Sequence, residues 1–456
     1  MPKISTLPAN GSVALAPALR KSFAKLRFWP LVVATFFMVS GGAYGTEDIV
    51  HGAGYGRAIL ILLLTPILWS LPTALMIGEL SSALPKEGGY YAWVRRAMGN
   101  CWGFQEAWLS LAASVFDMAI YPTLFVLYLA RLFPWCGMGY RGILVGLAVV
   151  GICAALNIAG IQVVATASIW FFCLLSAPFA IIVIVAPLKY RALAHAVTAP
   201  SSSHVDIVGG LLIAMWNYMG WDNASTIAAE VDQPQRTYPR AMLAAVALVA
   251  IAYVLPVAAM SMTHLSPSAW ETGTWADVAG LLGGPLLRVA LVLGGMMSAF
   301  GMFNALVMSY SRLPYAMARD GMLPKVFARV NQRQAPWFSI VVLATGWALC
   351  LGLGFERLVA IDVLVYGASL FLEFVALVVL RVTEPNLQRP FKVPGGMLGA
   401  IFVGVLPTLL LVFFLARGDH EQILGRSSLL FGVLLVLAGF LAYGIDVTLR
   451  RARPSR

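Results

Sequence analysis

Charge is what this chain has least of. Asp, Glu, Lys and Arg make up 11% of its 456 residues against 60% hydrophobic, and its mean hydropathy is +0.84. Soluble domains carry about 25% charged residues, so a soluble globular protein of this length is excluded. Cysteine is sparse too. Cys101, Cys136, Cys153, Cys173 and Cys350 are scattered without metal-ligand spacing, which argues against a disulfide framework or a zinc module and leaves small core residues. His51, His195, His204, His264 and His420 fall in or near outer loops, ungrouped. No clustered nucleophile, base or metal set emerges, so neither an enzyme nor a metal site is expected. The first apolar run is too long for a signal peptide and has no cleavage layout, so the basic tail before it is expected to be retained.

Apolar runs of spanning length recur from Pro30 to Leu449. They predict an all-α polytopic membrane protein with about twelve spans, at 30–53, 57–83, 104–134, 141–159, 161–187, 205–231, 237–262, 285–318, 337–353, 357–382, 396–416 and 427–449. The net charge of +11 does not point to nucleic acid, because the basic residues sit in loops between spans. Of the 31 Lys and Arg, 22 fall on the side of the N-terminus. The positive-inside rule then places both termini in the cytoplasm, with the chain multiply threaded through the plasma (inner) membrane. Pro85 stops the second span, Gly88-Gly89 turn the chain, and Tyr90 to Met98 reads as a short amphipathic helix at the interface.

One stretch organises the rest: Ser40-Gly41-Gly42-Ala43-Tyr44-Gly45-Thr46-Glu47-Asp48. Three glycines in five residues remove helix propensity in mid-span, and two carboxylates follow at once. Backbone freed inside a bilayer survives only where protein, water or a ligand satisfies it, and an acid at that depth is a functional candidate. A simple kink with an early exit to water is the plainer alternative. The sixth span repeats the anatomy in Trp216-Asn217-Tyr218-Met219-Gly220-Trp221-Asp222. Two matched interruptions in spans of opposite direction point to an inverted-repeat secondary transporter. A polar seam at 188–204 divides the chain into a tail (1–28), a first repeat (29–190), a second repeat (205–382), two added spans (383–449) and a C-terminal tail (450–456).

With these stretches the chain resembles the amino acid–polyamine–organocation superfamily over essentially its whole length. The likeness is carried by Ser40-Gly41 through Glu47, Gly78-Glu79-Leu80 with Pro85, and Trp216 with Gly220 and Asp222. It continues in Tyr238-Pro239-Arg240-Ala241, Ala318-Arg319-Asp320-Gly321, and Arg389-Pro390-Phe391-Lys392-Val393-Pro394-Gly395. The resemblance implies a LeuT-type five-plus-five inverted repeat with two added helices. Within the superfamily the chain is most similar to polyamine uptake transporters, through Gly45-Thr46-Glu47-Asp48, Asp117 with Tyr121-Pro122, and Trp221-Asp222 with Ser225-Thr226.

Amino-acid members of the superfamily show Gly-small-Gly at the first break, whose bare amides cradle the substrate carboxylate. Here Glu47 stands where the second of those glycines belongs. An ionised Glu47 at that place repels a carboxylate and attracts an ammonium. At 4 Å and an effective dielectric of about 20 the pair energy is about 4 kcal/mol, part of which desolvation takes back. The sign favours a cationic organic substrate, a di- or triamine, held by Gly41, Gly42, Tyr44, Gly45, Thr46, Glu47, Asp117, Tyr121, Trp216, Asn217, Gly220, Trp221 and Asp222. The aromatics offer cation–π faces, with ordinary packing as the alternative. Asp222 either meets substrate or caps the second half of its helix. Coupling or gating falls to Glu79, Asp117, Trp216 and Glu373. Proton-dependent relatives use a lysine in the fifth span, and 161–187 contains none. A proton is the expected coupling ion, sodium stays open, and no cofactor is called for. The rival reading is an amino-acid permease or exchanger on the same fold.

Overall fold

Glycine and proline punctuate the first apolar run. In the computed structural model it forms α1 (Phe28–Val39), stops, and restarts as α2 (Glu47–Ala53). The structure describes residues 27–85, 88–160, 168–189, 206–263, 265–417, 422–423 and 426–451. Most of the N-terminal tail, the start of the fifth span and most of the 188–204 seam lie outside them. Helix α3 (Tyr55–Ala83) carries a π turn at Pro66–Ser70, where proline removes a backbone donor. Gly88, at φ 92°, turns the chain into α4 (Gly89–Met98), the short helix expected at 90–98. Then come α5 (Asn100–Ala130), α6 (Tyr140–Ile158) and α7 (Ser168–Leu188).

The second part opens with α8 (Ile207–Asn217), breaks, and continues as a 3-10 segment (Trp221–Glu230). It proceeds through α9 (Pro234–Ser261), α10 (Thr274–Arg319), α11 (Trp337–Leu349), α12 (Phe355–Thr383), α13 (Gly396–Arg417) and α14 (Ser428–Arg451). The only sheet among the described residues is a two-residue ladder pairing 422–423 with 426–427. Eight described helices are long and apolar enough to cross a membrane; α1, α11 and Phe172–Leu188 within α7 are apolar but shorter. The protein is a helical, multi-pass membrane protein.

The eighth span differs from the expected 285–318 in beginning early. Residues 274–283 are helical and join the span through Gly284, whose φ of 75° breaks the helix ahead of Pro285. Trp275, Val278, Ala279 and Leu282 are buried at i, i+3, i+4 and i+7, so this preface packs inward as an amphipathic helix does.

Helices α5 and α12 form the centre, packing on each other, with α10 on α5. Their shared face is polar. Glu106, Ser110, Asp117 and Tyr121 recur on one side of α5, and Asp362, Tyr366, Ser369 and Glu373 on one side of α12, all buried. Outward positions are apolar and exposed, as with Leu60, Leu63, Leu64 and Ile67 on α3 or Val433, Leu434, Leu437 and Leu441 on α14. Such a surface suits hydrocarbon, and backbone that leaves the helical pattern is confined to the interior.

Candidate functional site

The two interruptions touch. Gly42 and Gly45 take φ of 101° and 85°, and Gly220 takes 86°, values at which a side chain is strained. A Cβ on Gly220 would stand 2.8 Å from the carbonyl oxygen of Met38, so the end of α1 meets the second break backbone to backbone. Asn217 Nδ2 donates to the Gly45 carbonyl at 3.2 Å and stitches the breaks together. The carbonyls freed by the breaks find side-chain donors. Trp275 Nε1 donates to Ala43 at 2.9 Å, Trp221 Nε1 to Tyr218 at 2.7 Å, and Tyr253 to Asn217 at 2.8 Å. Ser298 Oγ donates to Gly41 at 2.8 Å, and a Cβ on Gly41 would collide with it.

Beside the breaks lies a partly open cavity. The first break contributes Ser40, Gly41 and Tyr44, and the second Trp216, Asn217, Gly220 and Asn223. Asp117 and Tyr121 come from α5, Ser298 and Tyr310 from α10, and Asp362 and Tyr366 from α12. Among the described residues, no lysine or arginine lines it. Asp117 accepts from Tyr121 at 3.0 Å and from Tyr310 at 3.2 Å. Asp362 is 1% exposed and neither carboxylate oxygen has a hydrogen-bond donor. The Trp216 ring stands edge-on to Phe355 at 5.4 Å and tilted to Tyr121 at 6.3 Å, an aromatic cluster across one side of the cavity. Ion pairs fasten both ends of the bundle. Arg131 with Asp277 (2.8 Å) and Arg288 with Asp277 (3.1 Å) close one end; Arg96 with Glu384 (2.7 Å) and Arg95 with Asp320 close the other.

Of the sequence-predicted residues, Gly41, Tyr44, Asp117, Tyr121, Trp216, Asn217 and Gly220 line the cavity. Gly42, Gly45, Thr46 and Trp221 shape the breaks behind it. Glu47 is the main correction. It is fully buried yet does not line the cavity. One oxygen accepts from Gly45 N at 2.7 Å; the other accepts from Gly273 N at 3.0 Å and from the Tyr128 hydroxyl. As the first residue of α2, Glu47 sits among free amides that attract a carboxylate. Asp222 also stands just behind the lining, where it accepts from Tyr366 at 2.6 Å.

Glu79 is saturated with donors: Arg381 Nε at 2.9 Å, Arg389 Nε at 3.3 Å and the Val393 amide at 2.7 Å. Glu373 lies outside the cavity, buried, with both oxygens unpartnered. The residue that sequence reasoning missed is Asp362. It is an acid within an apolar span, four residues ahead of Tyr366 on the same helical face, and the intramembrane-acid rule finds it.

Comparison with known proteins agrees with this architecture. Residues 32–439 match the family model described as amino acid permease. The chain is 34% identical over 437 residues to polyamine transporter RMV1 of Arabidopsis thaliana, covering 95% of this chain and 89% of that protein. It is 36% identical over 388 residues to polyamine transporter PUT1 of Oryza sativa subsp. japonica, covering 85% and 73%. The serine/threonine exchanger SteT of Bacillus subtilis is more distant, 25% identical over 400 residues and covering 82% and 87%. The chain belongs to the amino acid permease family, as a membrane transporter and not an enzyme.

Proposed function

We propose that this transporter moves a polyamine, such as putrescine or spermidine, by ion-coupled alternating access. The observation that carries the reading is the cavity's charge: Asp117 and Asp362 line it, Asp222 stands behind Tyr366, and no lysine or arginine among the described residues lines it. A buried acid with no donor, as Asp362 is, needs a proton or a cation. Tyr44, Tyr121, Tyr310 and Trp216 supply aromatic faces between the acids, suited to methylene-spaced ammonium groups. The named polyamine transporters among its relatives support the same substrate class.

An amino-acid exchanger on this fold is the second reading, favoured by the more distant exchanger relative. Against it stands Gly45, whose amide belongs to the break that cradles a carboxylate in amino-acid relatives. Here that N–H is already taken by Glu47. The proposed architecture is twelve spans in a five-plus-five inverted repeat (29–190 and 205–382) with two added spans, in the plasma membrane with both termini cytoplasmic. The proposed coupling ion is the proton, with Asp117 its carrier, and Trp216 a gate on the cavity's aromatic side. Uptake of radiolabelled putrescine against arginine into proteoliposomes, with and without a pH gradient, tests the reading. Arginine accumulation without putrescine uptake would replace it by the second.

A further inference from the structure

A second acidic pair lies outside the cavity, toward the α4 end of the bundle. Glu106 of α5 and Glu373 of α12 are both 1% exposed or less. Glu106 lies 11 residues before Asp117, roughly 16 Å toward the α4 end of the bundle at 1.5 Å per residue. Glu373 lies 11 residues after Asp362 on α12, which runs the opposite way, so the two acids share a level. Ser369 joins them. Its Oγ donates to Glu106 Oε1 at 2.6 Å, and it precedes Glu373 by one turn on the same face. Ser110 donates to the same Glu106 oxygen at 3.0 Å.

Three carboxylate oxygens are left without a donor: Glu106 Oε2 and both oxygens of Glu373. The charged groups bearing on Glu373 are Glu106 and Asp222, both acids. The nearby guanidiniums of Arg381 and Arg389 are already committed to Glu79. Two carboxylates without a counter-cation in a dry interior are strongly disfavoured. A primary ammonium carries three N–H donors and one charge, which matches three free acceptors. Asp222 accepts from Tyr366, which lies between Asp362 and Glu373 on one face of α12, so it stands between the two levels.

We infer that Glu106 and Glu373, with Ser369 between them, form an inner subsite that takes one ammonium group of the substrate as it passes between the cavity and the α4 end of the bundle. This rests on the polyamine reading above and adds a second station to it. The subsite is not required for initial capture, because Asp117 and Asp362 hold the cation in the cavity. It is required for passage.

Equilibrium binding of radiolabelled putrescine to the purified full-length protein, and putrescine counterflow in proteoliposomes at equal pH on both sides, test the inference with Glu373→Gln and Glu373→Asp. Glu373→Gln is expected to leave the binding constant within about twofold while slowing counterflow about tenfold or more, as loss of a charged hydrogen-bonding partner implies. Glu373→Asp should recover part of the rate. Retained binding shows that the variant is folded. Counterflow at the wild-type rate with only pH-driven accumulation lost would make the pair a proton store and overturn the subsite. Binding lost together with transport would place Glu373 in the cavity's own machinery and overturn it as well. A wild-type protein that transports no amine would overturn the polyamine reading and the subsite together; an amine-transporting wild type with unaffected variants overturns the subsite alone.

Discussion

Replacing Glu47 by glutamine separates two roles for the acid beside the first break. In the cavity it would act through its charge on the substrate; in the structure its oxygens serve Gly45 N, Gly273 N and the Tyr128 hydroxyl. Glutamine keeps one acceptor oxygen and gains an NH2 donor. If the oxygen faces Gly45, the Gly273 amide meets a donor; if it faces Gly273, the Gly45 amide does. Tyr128 can rotate its hydroxyl, but a backbone N–H cannot turn away. Either orientation therefore orphans one buried backbone donor, at about 1–3 kcal/mol, and removes the charge from the remaining bonds, for a total of about 2–4 kcal/mol.

The assay is thermal unfolding of the detergent-solubilised protein, read beside putrescine binding. Glu47→Gln should lower the unfolding midpoint clearly, and Glu47→Asp should lower it too, because the shorter side chain cannot reach both amides. Tyr128→Phe should cost about 1 kcal/mol alone and less in the Glu47→Gln background, since both changes act on one network. A Glu47→Gln protein of wild-type thermal stability that loses putrescine affinity more than about tenfold would refute this reasoning and return Glu47 to the substrate.

Four further outcomes follow from the cavity. Asp362→Asn should raise the putrescine dissociation constant about tenfold in equilibrium binding, because it removes an unpartnered buried charge from the lining; unchanged affinity would take Asp362 out of the site. Gly220→Ala should abolish uptake, since its φ of 86° and the Met38 carbonyl at 2.8 Å leave no room for a Cβ; normal uptake would show that the contact relaxes freely. Trp216→Ala should reduce transport yet spare equilibrium binding more than Asp222→Ala does, and a parallel fall in both would make Trp216 a packing or contact residue. Asp117→Asn should abolish accumulation driven by a pH gradient while slow counterflow persists; undiminished accumulation would move the coupling proton elsewhere.

The breaks were legible because a bilayer gives sequence little freedom. Gly42, Gly45 and Gly220 stand in apolar runs where helix is otherwise required, and all three adopt positive φ. The short helix α4 was legible for a related reason: Arg95 and Arg96 make a spanning placement costly, and both form ion pairs at the bundle's end. The direction in which a buried acid points was not legible. Glu47 finds Tyr128 81 residues away in sequence and Gly273 226 residues away. Nothing local to Thr46-Glu47-Asp48 announces either donor. Hydropathy gives an acid's depth, whereas its partners are set by tertiary packing, so the glycine position that Glu47 occupies put it in the cavity, while Asp362, which its depth in an apolar span marks, was passed over.

Correcting that placement changes the argument for a cation without reversing its sign. A charge facing the cavity from Glu47 would discriminate by repelling a carboxylate. Buried behind the break, Glu47 acts by occupancy: it holds the Gly45 amide that a carboxylate would need. In the proposed reading, attraction for ammonium then rests on Asp117 and Asp362, which line the cavity from the two central helices, with Asp222 held close by Tyr366. These two mechanisms are separable. Removing Asp362 weakens the amine without inviting an amino acid, whereas Glu47→Gln, in the orientation that turns its NH2 toward Gly45, frees the Gly45 amide and opens the break to a carboxylate. Competition of arginine against putrescine in the two variants therefore reads attraction and exclusion independently. Arginine gaining on putrescine in Asp362→Asn alone would show that the cavity's charge does both.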